Sequence, residues 1–133
     1  MPIKSILAAY LVAGATFVII DLIWLGYVAR DLYRKEMGSL LAQSFRVGPA
    51  AAFYLMYFGA IVYFAVLPAL RSGYWTDALV PGALLGLVAY GTYDLTALAV
   101  VRDWPMKLSL IDMAWGTLLT AFSAGVAAYI VVR

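Results

Sequence analysis

The sequence predicts an all-α protein, a bundle of four transmembrane helices, and three observations carry that prediction. Hydrophobic residues make up 66% of the 133 positions and charged residues only 12%, about half the ~25% charge of an ordinary soluble domain. The apolar residues fall into four blocks, over about 5–29, 49–70, 79–101 and 109–131, each near the ~20 residues that cross ~30 Å of hydrocarbon. Aromatic residues gather where those blocks end: Trp24, Trp75 and Trp104 with Tyr27, Tyr33 and Tyr74, the usual position of interfacial anchors. The whole chain, 1–133, reads as a single integral membrane domain.

The first block is longer than the ~7–15 residue apolar core of a signal peptide and carries Asp21 near its end, so it is expected to remain as the first helix. The stretch after it, "RDLYRKEMGSLLAQSFRVG", interleaves Tyr33, Met37, Leu40, Leu41 and Phe45 with charges at helical spacing. It reads either as an amphipathic segment lying on the headgroups or as a solvated connector. Pro49 and Pro81 suit the first turns of the second and third helices, where a missing N–H costs nothing. Setting "DLIWLGYVARD" (21–31) against "DLTALAVVRD" (94–103) shows Asp-Leu followed by Arg-Asp in both, which suggests two helix hairpins related by a parallel repeat.

Four spans put both termini on one side. Arg30, Arg34, Lys35, Arg46, Arg102 and Lys107 flank the loops after the first and third spans, against Lys4, Arg71 and Arg133 on the other side. The positive-inside rule therefore predicts those loops in the cytoplasm and the termini outside. With no cysteine and no histidine, the chain lacks thiol nucleophiles, disulfides, imidazole bases, histidine-ligated haem and the usual zinc sites. No cofactor and no metal are expected. A net charge of +2 with dispersed cations argues against nucleic acid as a partner.

The functional question lies in "YDLTALAVVRDWPMKLSLIDMAWG" (93–116), which places Asp94 and Asp112 inside apolar spans. A charged side chain near the bilayer centre costs roughly 2.5–3.5 kcal/mol on insertion scales, so it needs a partner or a task. At about 1.5 Å per residue, Asp21, Asp94 and Asp112 lie roughly 12, 10 and 5 Å below the same membrane surface. Gly14, Gly91 and Gly116 share helix faces with these acids, and small residues mark the faces on which membrane helices pack closely. Three acids on inward faces in one leaflet predict a polar pocket.

Each acid also has a structural reading. In "SLID", Ser109 fits an N-cap with Asp112 completing a capping box, and Asp21 fits pairing with a snorkelling Arg30 or a hydrogen bond to a neighbouring helix. Asp94 sits among Tyr90, Thr92, Tyr93 and Thr96, the most polar intramembrane context of the three. Trp24 and Trp115 stand three residues after Asp21 and Asp112, on the same helix faces. Asp21, Trp24, Tyr90, Tyr93, Asp94, Thr96, Asp112 and Trp115 are therefore the candidate ligand-binding residues. Such a pocket suits a cation or an amphipathic molecule, through carboxylate pairing and cation–π contact.

The runs "DLIWLG", "LYRKEMGSLLA", "AAFYLMYFGAIVYFAVLPAL", "YDLTALAV" and "DWPMKLSLIDMAWGTLLTA" together resemble the bacterial membrane-protein family catalogued as domain of unknown function 2177, over nearly the whole chain. That resemblance implies a four-helix inner-membrane protein and, through genes for membrane fatty-acid modification and for light or oxidative stress response near such members, a lipid-linked role. The chain departs from the family pattern at Ala97 and Val100, where Asn and Thr are common.

The leading expectation is binding or processing of a lipid or lipophilic small molecule through an Asp/Trp/Tyr pocket. A proton-coupled transporter or channel is the alternative, since buried carboxylates are the usual proton carriers. A lipid-modifying enzyme, with one carboxylate as base and another as acid, and a structural subunit of a larger membrane complex are further readings. The expected partners are the lipid bilayer, a lipophilic ligand, and either a second copy of the chain or another membrane protein.

Overall fold

The computed structural model describes residues 3–28, 31, 35 and 47–132. Four helices in it are long and apolar enough to cross a membrane: Ile3–Tyr27, Val47–Ser72, Trp75–Val100 and Met106–Val132. No strand occurs among the described residues. The headgroup-lying segment expected over 30–48 and the partner expected in Arg30 lie, but for Asp31, Lys35 and the start of the second span, outside the described residues.

Packing is inverted relative to a soluble bundle. Leu11, Leu55, Met56, Val88 and Leu118 point outward, while Asp21, Asp94, Ser109, Thr120 and Ser123 are buried beside Ala9, Ala13, Ala65, Ala124 and Ala128. In hydrocarbon, an outward leucine loses nothing by staying exposed, so the helices associate through small residues and internal polar contacts. Along the third span Gly82 lies against Ala121 and Ala124, and Gly86 against the Gly116 carbonyl and Thr120. This Gly-x-x-x-Gly ridge makes the contact between the third and fourth spans the most extensive in the bundle.

The first span packs on the fourth and meets the second through aromatic rings. Phe17 lies edge-on to Tyr54, Tyr57 and Phe58, at 5.9, 5.6 and 5.6 Å between ring centroids, and Gly14 makes room for the Phe58 ring. The second span approaches the third mainly through its middle turn, Val62–Val66, so its Val47–Ile61 half stands away from that helix. That divergence opens the cavity described below.

Two of the spans contain wide, π-helical turns, Trp24–Val28 and Val62–Val66, and the first begins three residues after Asp21. The second span ends on Gly73 at φ 82° with its N–H donated to the Ala69 carbonyl at 2.9 Å, a left-handed cap that glycine adopts without penalty. The fourth helix starts at Met106, a turn earlier than the sequence suggests. Ser109 therefore lies inside it, fully buried, with its hydroxyl donated to the Pro105 carbonyl at 2.8 Å. The expected Ser109 cap is corrected accordingly: Pro105, which has no N–H to lose, stands just before the first turn, and Asp112 belongs to the second.

Candidate intramembrane carboxyl site

All four spans contribute to one cavity of about 470 Å³. The first supplies Asp21 and Leu25, the second Ala50, Phe53 and Tyr54, the third Ala89, Tyr90, Tyr93 and Asp94, and the fourth Leu108 and Asp112; Trp104 closes it from the connecting loop. Its volume falls within the ~300–1,000 Å³ typical of small-molecule sites. The wall is mostly apolar and aromatic, with three carboxyl groups among its polar features.

The three acids are held differently. Asp21 is 7% exposed and accepts two hydrogen bonds across the bundle, from the Trp115 indole to Oδ1 at 3.0 Å and from the Tyr54 hydroxyl to Oδ2 at 3.2 Å. It ties the first, second and fourth spans together. Asp94 is 2% exposed; it shares the cavity lining with Asp112, and its Oδ2 has no partner among the described residues. An unsatisfied buried carboxyl oxygen costs on the order of 1–3 kcal/mol or more. The Trp104 indole N–H, on the same cavity wall, is likewise buried with no acceptor among the described residues.

Helix geometry explains these placements. Tyr90 and Asp94 are four apart and share a face, and the absence of a side chain at Gly116 lets the Tyr90 ring lie directly on the fourth helix. Gly91 faces the Met113 methyl, where an added Cβ would come to 3.1 Å. Thr96, two residues beyond Asp94, is rotated to the opposite side, is exposed, and takes no part in the lining. Thr92 is also exposed and bonds its own helix at the Val88 carbonyl, at 2.6 Å.

Trp24 and Trp115 stack on one another, at 4.3 Å and 11°, outside the lining. The sequence pairs Trp115 with Asp112 by spacing, but the indole reaches across to Asp21 instead. Sequence reading did not single out Phe53, Tyr54 or Trp104 as site residues. Ala50, Phe53, Tyr54 and Tyr57 follow an i, i+3, i+4, i+7 pattern that marks one helix face. Below the cavity the bundle stays polar: Tyr57 and Thr120 hydroxyls lie 2.6 Å apart, and Ser123 is buried with no partner among the described residues. No group of three or more acidic, cysteine or histidine side chains is arranged to hold a metal ion among the described residues.

Fold and site together define a membrane protein with four spanning helices and a carboxyl-lined cavity between them. A family model described as "Predicted membrane protein (DUF2177)" matches residues 6–129, and the chain belongs to that family. No curated protein and no solved structure matches the chain.

Proposed function

We propose that the protein binds a lipophilic small molecule of the bilayer in this cavity. The observation that carries the reading is Asp94: a carboxyl group almost wholly buried on the wall of an apolar cavity, with one oxygen left without a partner among the described residues. Structural acids end in satisfied bonds, as Asp21 does; an unsatisfied one beside open volume is the arrangement a ligand completes. The cavity serves either to hold the lipophile or to present it to a processing partner. The distribution of Lys and Arg supports an inner-membrane orientation with the termini outside.

The test is chemical. Wild type, Ala89→Trp and Ala50→Trp are purified in parallel, and their organic extracts compared for lipophiles in near-stoichiometric amount. The proposal expects one such compound in wild type and its loss where the indole fills the cavity. Equal recovery from all three would place the lipid on the outer surface. Proton-coupled transport is a second reading, supported by the Tyr57–Thr120 pair and Ser123, which extend polar groups from the carboxyl cavity into the bundle. Proteoliposome flux abolished in Asp94→Asn is its distinguishing result.

A further inference from the structure

Two unsatisfied groups line the cavity and ask for opposite things. Among the described residues Asp94 Oδ2 is left without a donor and Trp104 Nε1 without an acceptor. A protonated amine donates but cannot accept, so it leaves the indole unanswered. A carboxylate or phosphate head accepts but brings a charge into a largely apolar cavity, with no basic residue among the described lining to offset it. A hydroxyl both donates and accepts, without charge.

The shape of the opening says where the remainder of the molecule goes. The Val47–Ile61 half of the second span stands off the third span. Phe53 and Tyr93 line the cavity from those two helices and are also exposed, 41% and 59%. Leu25 of the first span is likewise both lining and exposed. These rim residues belong to faces that meet hydrocarbon, so an alkyl chain leaving by this gap stays in apolar surroundings throughout. A cavity of about 470 Å³ holds a head and part of one chain, not a two-chain phospholipid.

We infer that the occupant is a lipophilic alcohol taken from within the membrane, its hydroxyl set between Asp94 and Trp104 and its chain leaving sideways between the second and third spans. This rests on the reading of the cavity as a lipophile site and names the head chemistry and the route.

The experiment measures binding of tritiated hexadecan-1-ol to the full chain in phosphatidylcholine nanodiscs, with hexadecane, hexadecylamine and hexadecanoic acid as competitors. The alcohol is expected to bind saturably, and the three competitors to displace it at least about tenfold more weakly, the worth of one good hydrogen bond. Asp94→Leu and Trp104→Phe are each expected to weaken binding about tenfold. Asp94→Asn, whose amide oxygen still accepts, should stay within a few-fold. Ala50→Trp, which narrows the gap, should abolish uptake; circular dichroism and elution volume check that each variant folds. Preferred binding of the amine, lost in Asp94→Asn, would overturn the alcohol in favour of a cation site. Failure of hexadecanol to bind, while wild type still co-purifies with some other lipophile lost in Ala89→Trp, would sink this inference and leave the cavity reading standing. A wild type that carries and binds no lipophile of any class would sink both.

Discussion

Gly116 should resist replacement, and Gly116→Ala tests why. A Cβ there would run into the ring of Tyr90, which lies on the fourth helix at the cavity wall. Forcing one methyl into packed surroundings costs about 1–3 kcal/mol, and the ring can move away only by entering the cavity or parting the third and fourth spans. Alanine ordinarily stabilises a helix interior over glycine by roughly 0.5–1 kcal/mol, so the net loss expected is up to about 2.5 kcal/mol, where Gly48→Ala gains. Gly48→Ala is the matched control, because nothing lies within 4 Å of its Cβ position. Reversible unfolding in mixed micelles, followed by circular dichroism, gives both numbers. The double variant Gly116→Ala with Tyr90→Ala removes the obstructing ring, so its loss should be smaller than the sum of the two single losses. If Gly116→Ala unfolds with Gly48→Ala, or if the two changes simply add, the close approach of Tyr90 to Gly116 is not what holds these helices together.

Three further outcomes follow from individual contacts. Trp115→Phe removes the 3.0 Å donor to the buried Asp21 and should destabilise by about 1–3 kcal/mol in the same unfolding assay, the cost of leaving a buried acceptor without its partner; Tyr54→Phe, which loses a 3.2 Å bond, should cost less. Tyr57→Phe and Thr120→Val each break the 2.6 Å hydroxyl pair, so each should lose about 1 kcal/mol and the double variant no more than the larger single loss. Ser123→Ala deletes a buried hydroxyl that bonds to nothing described and should be neutral or slightly stabilising; a loss above about 1 kcal/mol in chemical unfolding would show that Ser123 has a bonded role.

Much of this architecture can be read from the residues. Four apolar blocks become four helices because hydrocarbon permits little else across its thickness, and the glycines beside the three acids lie on inward faces, against Phe58, Met113 and Tyr90. The errors have physical causes. Thr96 is near Asp94 in sequence, but two residues turn a helix by about 200°, so it lies on an exposed face away from this cavity. Ser109 looks like a cap because "SLID" matches a helix start, yet the proline before Met106 begins the helix earlier and leaves the hydroxyl to bond backward.

What the sequence does not convey is phase between helices. Spacing pairs Trp115 with Asp112, whereas the rotation of the first span toward the fourth brings its indole to Asp21 and stacks it on Trp24. The second span has no ionisable acid to draw notice, and its contribution to the site, Phe53 and Tyr54, becomes visible only when its Val47–Ile61 half is seen to diverge from the third span. Trp104 follows an anchor's position rule equally well whether it faces headgroups or closes a cavity.

Native mass spectrometry of the protein extracted gently from its own membrane, wild type beside Asp94→Leu, tests the cavity reading most directly. The account predicts a mass-resolved lipophile bound once per chain in wild type and absent from the variant. A wild type that flies bare, or a variant that carries the same adduct to the same extent, would contradict it.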